Sequence, residues 1–267
     1  MTGAAPIIVE RRGAVDWVTL NRPDRLNALD DAMTAALRDY FERLYDDRDC
    51  RVVVLRGSGR GFCAGLDLSS EQTRRVLEDG VGPAMRVQRD IRNIMVAMRR
   101  CPQPIVGLIH GWAAGGGFVL ALACDIRIAA VGTRMNGAFI RIGLGGCDVG
   151  ASYLLPRLIG SAAASELLLT GRDLDAARAL KLGLVSEVVA EDALEAAGMG
   201  YVDEMLATAP LALGMTKEVL NMNIDASSFE AALALEDRNQ ILLGQSEDFR
   251  EGATAFREKR KPRFEGR

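Results

Sequence analysis

Three glycine-rich loops hold the residues best placed to do chemistry: GSGRGFCAGLDL (57–68), HGWAAGGG (110–117) and FIRIGLGGCDVG (139–150). The middle loop follows a short apolar run, Ile105 to Ile109, and leads into the small apolar residues Phe118 to Ala123. That order reads as a buried strand, a tight turn and a helix. Three consecutive glycines at such a junction cost conformational entropy, which is simplest to explain if the backbone must approach something closely there. A helix N-terminus carries unpaired N–H groups and the positive end of the helix dipole. The turn is therefore suited to negative charge, fixed on a ligand or developing during a reaction. Its other reading is a tight turn packed against a neighbouring strand.

Each loop follows an apolar strand, and parallel α/β architectures gather such loops at one sheet edge. Two of them can each offer a backbone N–H to one oxygen atom. Such a pair is an oxyanion hole, worth about 3–4 kcal/mol per donor where measured. Other chemistries have little to draw on. His110 is the single histidine, so Ser-His-Asp, Cys-His and multi-histidine metal sites lack their parts. The five cysteines, Cys50, Cys63, Cys101, Cys124 and Cys147, are widely spaced with no C-x-x-C, which suggests neither a disulfide framework nor a zinc site. Gly59 to Ala64 matches G-x-G-x-x-A after a strand, the dinucleotide fingerprint. Gly65-Leu66-Asp67 follows where that motif needs a helix, and no strand ending in an acid sits about 20 residues on. No G-K-[ST] occurs.

The elements that must position these loops alternate strand and helix first and are helical afterwards. Ile7 to Arg12 and Val15 to Leu20 read as a hairpin across Gly13-Ala14. Asp30 or Asp31 caps a helix bearing Met33, Leu37, Tyr40, Phe41 and Leu44 on one face. Val52 to Leu55 reads as a strand buried on both faces. Residues 69–83 read as a flap or short helix, and Met85 to Met98 as a helix. Strands are predicted at 126–130 and 184–189, and helices at 161–169 and 175–182. From about residue 191 the pattern is all helix. The division is an α/β core over 1–200 with a helical region over 201–267. With 267 residues, 49% hydrophobic and 26% charged, the chain has an ordinary globular balance. Its net charge of -3 gives no electrostatic case for nucleic acid or an anionic membrane. No apolar run approaches the roughly 20 residues that span a bilayer, and the N-terminus lacks the pattern of a secretory signal. These features predict a cytoplasmic enzyme or binding protein without a metal.

Taken together, LNRPDRLNAL (20–29), GRGFCAGLDL (59–68), CPQPIVGLIHGWAAGGGFVLALACDIRIAA (101–130), LLPRLIG (154–160), ELLLTGRDLDAARALKLGLVSEVV (166–189) and EGATAFREKRKPRF (251–264) resemble the crotonase superfamily of enoyl-CoA hydratases and isomerases over nearly the whole chain. The resemblance implies a repeated ββα spiral with a C-terminal helical region that packs in trimers, often paired as hexamers. It implies an acyl-CoA thioester substrate, coenzyme A being part of that substrate and no cofactor being bound permanently. The thioester oxygen would sit between two backbone N–H groups, those of Leu66 and Gly116. Arg25, Leu26, Ala28, Ala64 and Asp67 resemble the wall that holds the CoA nucleotide and pantetheine. Phe256, Lys259 and Lys261 match tail positions that reach CoA; a solvated basic tail is their other reading.

Hydratases of this family use two glutamates, whose positions here are Val119 and Phe139. Neither side chain moves a proton. Asp148, in GCDVG, resembles an aspartate of dienoyl-CoA isomerases after a one-residue shift. It is a candidate for proton abstraction α or γ to the thioester, or a helix cap. Arg141 suits an acyl carboxylate or a surface ion pair. Cys147 reads as a packed thiol, His110 as structural, and Asp125 as ordering the next strand. The functional expectation is an enolate-forming acyl-CoA enzyme, isomerising or hydrating an enoyl-CoA. Its alternative is a non-catalytic acyl-CoA-binding protein on the same fold.

Overall fold

The computed structural model describes residues 4–267. A hairpin, β1 (Ile7–Arg12) and β2 (Val15–Leu20), precedes α1 (Asp31–Arg43), which Asp30 caps by accepting from the Met33 N–H at 2.9 Å. Then come β3 (Val52–Gly57), α2 (Glu71–Glu78), α3 (Val81–Arg100), β4 (Ile105–Ile109), β5 (Trp112–Ala114), α4 (Gly116–Ala123), β6 (Ile126–Ala130) and β7 (Arg134–Asn136). They are followed by α5 (Ala151–Ile159), α6 (Ser161–Thr170), β8 (Leu174–Asp175), α7 (Ala176–Lys181), β9 (Glu187–Val189) and α8 (Leu194–Leu206). Helices α9 (Pro210–Asn223), α10 (Phe229–Gly244) and α11 (Glu247–Glu258) complete the chain.

Six strands form one sheet in the order β1-β2-β3-β4-β6-β9, parallel throughout except for the β1–β2 hairpin. Strands β5, β7 and β8 form a second, smaller sheet. The chain therefore repeats one unit. In β4–β5–α4 and again in β6–β7 with the helices after it, the first strand joins the large sheet and the second joins the small one. Each parallel return needs a crossover, and the glycine-rich loops follow β3, β4 and β7.

The large sheet is covered on both faces, as its continuous apolar strands require. Alternation along β3 sends Val53 and Leu55 into the main core with α1, α3 and α4, while Val52 and Val54 join a second core under α8. Helix α8 crosses residue 200 and contributes Leu194 and Val202 to that second core. One buried cation docks the C-terminal helices. Lys217 of α9 pairs with Asp125 at 2.9 Å and donates to the carbonyls of Met98 and Gln103 at 3.0 and 2.8 Å. Asp125 also accepts from the Ile105 N–H at 2.8 Å, so it orders the start of the preceding strand β4 and not, as expected, the strand that follows it.

Local differences from the sequence reading have simple causes. Residues 69–83 contain α2, capped by Ser70, and α3 begins at Val81 because Gly80 ends the preceding turn with φ +83°. Pro83 is then tolerated in the first turn of α3, where its missing N–H has no partner to lose. The strand expected at 184–189 shortens to Glu187–Val189, because the N–H of Leu184 bonds the Ala179 carbonyl in a turn. Among the described residues, no helix is long and apolar enough to cross a membrane, and no cluster of metal-ligating side chains occurs.

Candidate active site

Two of the three loops meet backbone to backbone. Residues 26–29 and 64–67 run side by side: Ala64 N–H donates to the Leu26 carbonyl at 2.9 Å, Leu29 N–H to the Gly65 carbonyl at 2.7 Å, and Asp67 N–H to the Leu29 carbonyl at 2.9 Å. The Gly65–Leu66 peptide is trans. Its carbonyl points at Leu29, so the Leu66 N–H points the opposite way. Among the described residues that N–H has no hydrogen-bond partner. The other loop behaves alike. The Gly115 carbonyl accepts from Val119 N–H at 3.2 Å within the first turn of α4, so the Gly116 N–H faces out of the helix end, also unpartnered. A methyl carbon on Gly65 would lie 3.1 Å from the Gly116 nitrogen and 2.6 Å from the Ala114 carbonyl oxygen. Gly65, at φ +87°, is thus required both by its conformation and by the close approach.

The close approach continues one residue on. Cys63 pairs with β5, donating its N–H to the Trp112 carbonyl at 3.0 Å and accepting from Ala114 N–H at 2.9 Å. A methyl carbon at Gly117 would fall 2.1 Å from the Cys63 oxygen. Every residue of α4 is buried, so the helix is fixed by packing on all sides. His110 binds the Gly59 carbonyl through Nε2 at 2.9 Å, a structural tie between β4 and the first loop, as its sequence position suggested.

The wall formed by 22–30 is held by residues that motif reading passed over. Arg22 bridges Asp30 and Asp67, at 3.0 and 2.9 Å, and donates to the Ala28 carbonyl. Asn27 is fully buried at φ +55° and donates to the carbonyls of Ser58, Gly61 and Phe62. Leu26 is also left-handed, at φ +50°. Two successive non-glycine residues in that region mark a strained turn, held by these bonds. Asn27 was visible only as part of LNRPDRLNAL, without its partners 31 to 35 residues on. Around this turn Arg25 is exposed, Leu26 and Ala64 are half-buried, and Ala28 and Asp67 are buried. Burial alone would raise the Asp67 carboxyl, but hydrogen bonds from Ser69 and Arg22 outweigh it and hold the group below the usual carboxylate range.

In the third loop, Phe139 is buried with its ring over Gly115, where a methyl carbon would stand 3.5 Å from Cε1. Val119 is buried in the same apolar core. Asp148 is half-buried. Its Oδ1 accepts from the Val149 N–H at 2.8 Å and from Gln88 of α3, while Oδ2 has no partner among the described residues. The N-cap of α5 is Gly150, with no side-chain bond, so the Asp148 carboxylate does not cap that helix; its backbone carbonyl receives Ala151 N–H at 2.8 Å instead. Val149 sits at φ +38°, an outlier for a β-branched residue. Gln88 is a contact that the sequence could not signal, since it lies 60 residues from Asp148.

Arg141 forms the ion pair with Asp173, at 2.8 Å. Cys147 is exposed, not packed as expected, because the loop around it stands off the core. Phe256 is 86% exposed on α11, and Lys259 follows at its left-handed C-cap; no hydrogen bond joins either side chain to the three loops. The tail beyond is not simply solvated. Buried Asp248 accepts from the N–H groups of Glu265 and Gly266 at 2.7 and 2.9 Å. A cavity of about 1380 Å³ lies elsewhere, between the C-terminal end of α3, α5 and α9, and includes neither Leu66 nor Gly116.

Repeated strand–strand–helix units followed by a helical C-terminal region define the crotonase fold. The chain belongs to the enoyl-CoA hydratase/isomerase family, whose pattern matches residues 10–267. It is an enzyme of that type. It is 36% identical to the 1,2-epoxyphenylacetyl-CoA isomerase of Escherichia coli K12 over 254 residues, covering 94% of each chain. It is 35% identical to the (E)-benzylidenesuccinyl-CoA hydratase of Thauera aromatica, over 98% of this chain and 99% of that one. Its fold matches the crystal structure of an enoyl-CoA hydratase from Bacillus anthracis with a TM-score of 0.91 at 31% identity, over 98% of this chain and all of the other.

Proposed function

We propose that the enzyme holds the carbonyl oxygen of an acyl-CoA thioester between the N–H groups of Leu66 and Gly116 and moves a double bond in the acyl chain through an enolate. The observation that carries this reading is the pair of unpartnered N–H groups on backbones that approach within the reach of a single methyl carbon. Donors fixed at the place where charge develops need no reorganisation during the reaction.

Asp148 is the proton carrier in this reading. Its free Oδ2 takes a proton from the carbon α or γ to the thioester, the C–H electron pair moves onto the thioester oxygen, the carboxyl proton exchanges with solvent, and the carboxyl group delivers a proton to the other carbon. The net change is a shifted double bond with no loss or gain of atoms. Val119 and Phe139, at the positions where family hydratases carry glutamates, supply an apolar wall and no second acid. The names of the two relatives cover both an isomerase and a hydratase. The single free carboxylate favours isomerisation. The same two apolar residues favour the second reading, acyl-CoA binding without turnover.

Coenzyme A would lie along Arg25, Leu26, Ala28, Ala64 and Asp67, with Phe256 and Lys259 reaching it from the tail. Because both tail side chains are exposed, they are free to serve a neighbouring subunit. Leu220, Phe229 and Ile241 on α9 and α10 are each at least two-thirds exposed, which supports a trimer built through the helical region.

Incubation with a panel of 2-enoyl- and 3-enoyl-CoA esters in heavy water, followed by mass spectrometry, tests the reaction. Carbon-bound deuterium without a gain of water is expected, and Asp148→Asn is expected to abolish it. A gain of one water would assign hydration instead. Binding with neither change would favour the non-catalytic reading.

A further inference from the structure

The Gly115–Gly116 turn is anchored at a point no motif marks. The Gly115 N–H donates to the backbone carbonyl of Asn136, the last residue of β7, at 2.9 Å. Asn136 is 3% exposed, and its Nδ2 donates to Asp173 Oδ1 at 2.7 Å. Arg141 Nη2 donates to the same oxygen at 2.8 Å. Asp173 stands just before β8, whose antiparallel register with β7 pairs Met135 with Leu174 and so brings Asn136 opposite Asp173.

A second line runs from the same carboxylate back to the same turn. Arg141 lies in the 3-10 turn Ala138–Ile142, which also carries Phe139. The Phe139 ring covers Gly115, where a methyl carbon would meet Cε1 at 3.5 Å. The turn before Asp173 backs onto this segment as well: a methyl carbon at Gly171 would lie 2.6 Å from Ile140 Cγ2 and 3.2 Å from Arg141 Cγ. Asp173 thus grips β7 with one bond and the third loop with another, and both lines close on Gly115. The hydrogen bond from Asn136, with the Arg141 guanidinium, holds its carboxyl below the usual carboxylate range despite partial burial.

We infer that Asp173 is a positioning residue for the oxyanion site, fixing the direction of the Gly116 N–H through Asn136 and through the Arg141–Phe139 segment. The inference rests on the proposed role of Leu66 and Gly116. Asp173 itself touches no reacting atom. Its effect belongs to the transition state, where the developing charge sits on the oxygen that the turn must meet.

Asp173→Ala and Asp173→Asn in the full chain test it, with three readouts: the unfolding midpoint, kcat and KM on the best ester of the enoyl-CoA panel, and the carbonyl stretching frequency of a bound, unreactive acyl-CoA thioester. Wild type is expected to shift that band to lower frequency relative to free thioester. Asp173→Ala is expected to lose part of the shift and to lower kcat about 10–100-fold with KM within about threefold, since a small misplacement of a positioned group costs that much. Asp173→Asn keeps an acceptor for Asn136 and is expected to lie between. If Asp173→Ala does not fold, Arg141→Met, at an exposed position, removes one arm and is expected to lower kcat by about threefold or more with the same band response. A folded variant with wild-type kcat and an unaltered band overturns the inference. So does a rise in KM at constant kcat. No band shift in the wild type would overturn the oxyanion reading itself, and the positioning role with it.

Discussion

Gly65→Ala places one methyl group where the two loops meet. The new carbon would stand 2.6 Å from the Ala114 carbonyl oxygen, and real contacts of this kind do not fall below 3.0 Å. Both neighbours are backbone, so the loops must part by about 0.4 Å or more in a closely packed region. The φ of +87° adds about 1–2 kcal/mol of left-handed strain for a residue with a side chain. Stability should therefore fall by roughly 2–4 kcal/mol, combining strain and overpacking. The same movement separates the Leu66 and Gly116 N–H groups. A misplacement of 1 Å costs about 100-fold in rate and loss of a whole donor about 100–1000-fold, so a partial opening should lower kcat about 10–100-fold. Steady-state kinetics and urea unfolding, run together, provide the assay. Gly132→Ala is the control, because its methyl group would meet nothing within 4 Å and its φ is ordinary; it should change neither quantity appreciably. A folded Gly65→Ala enzyme with wild-type kcat would refute the reasoning.

Other expectations follow from named contacts. Lys217→Met should destabilise the chain by about 3–5 kcal/mol in urea unfolding, because Asp125 and two carbonyls lose a buried cation. In native protein, maleimide should label Cys147 alone: the other four thiols are buried, and burial pushes Cys50, Cys63 and Cys124 up to about 12. Asp67 has a folded pKa below its unfolded value of about 3.9, so its stabilisation is present above that value and lost as pH falls through the folded one. Asp67→Asn should accordingly cost about 2 kcal/mol at pH 7. That difference should shrink in unfolding measurements taken progressively below pH 4.

The apolar runs at 52–55 and 105–109, the helix face at Met33 to Leu44 and the glycine turn at 115–117 were legible because local pattern decides them. Pairing of the strands into a large and a small sheet was not, except through resemblance. β5 is three residues of Trp-Ala-Ala inside an expected turn, and it is a strand because Cys63 and Arg134 lie beside it. The placement of Leu66 and Gly116 was named from the family pattern, while the reasons their N–H groups are unpartnered lie in the trans peptide at Gly65 and the first turn of α4. Arg22, Asn27, Gln88 and Asp173 were invisible as site-shaping residues. Each acts on a partner far along the chain, and one polar residue in a loop looks like any other until its partner is in place.

The most direct test of the account is a crystal structure with an unreactive acyl-CoA thioester bound. Its carbonyl oxygen is expected within about 2.7–3.1 Å of both the Leu66 and Gly116 nitrogens. A bound thioester whose oxygen meets neither nitrogen, with both N–H groups still unpartnered or taken by water, would contradict it.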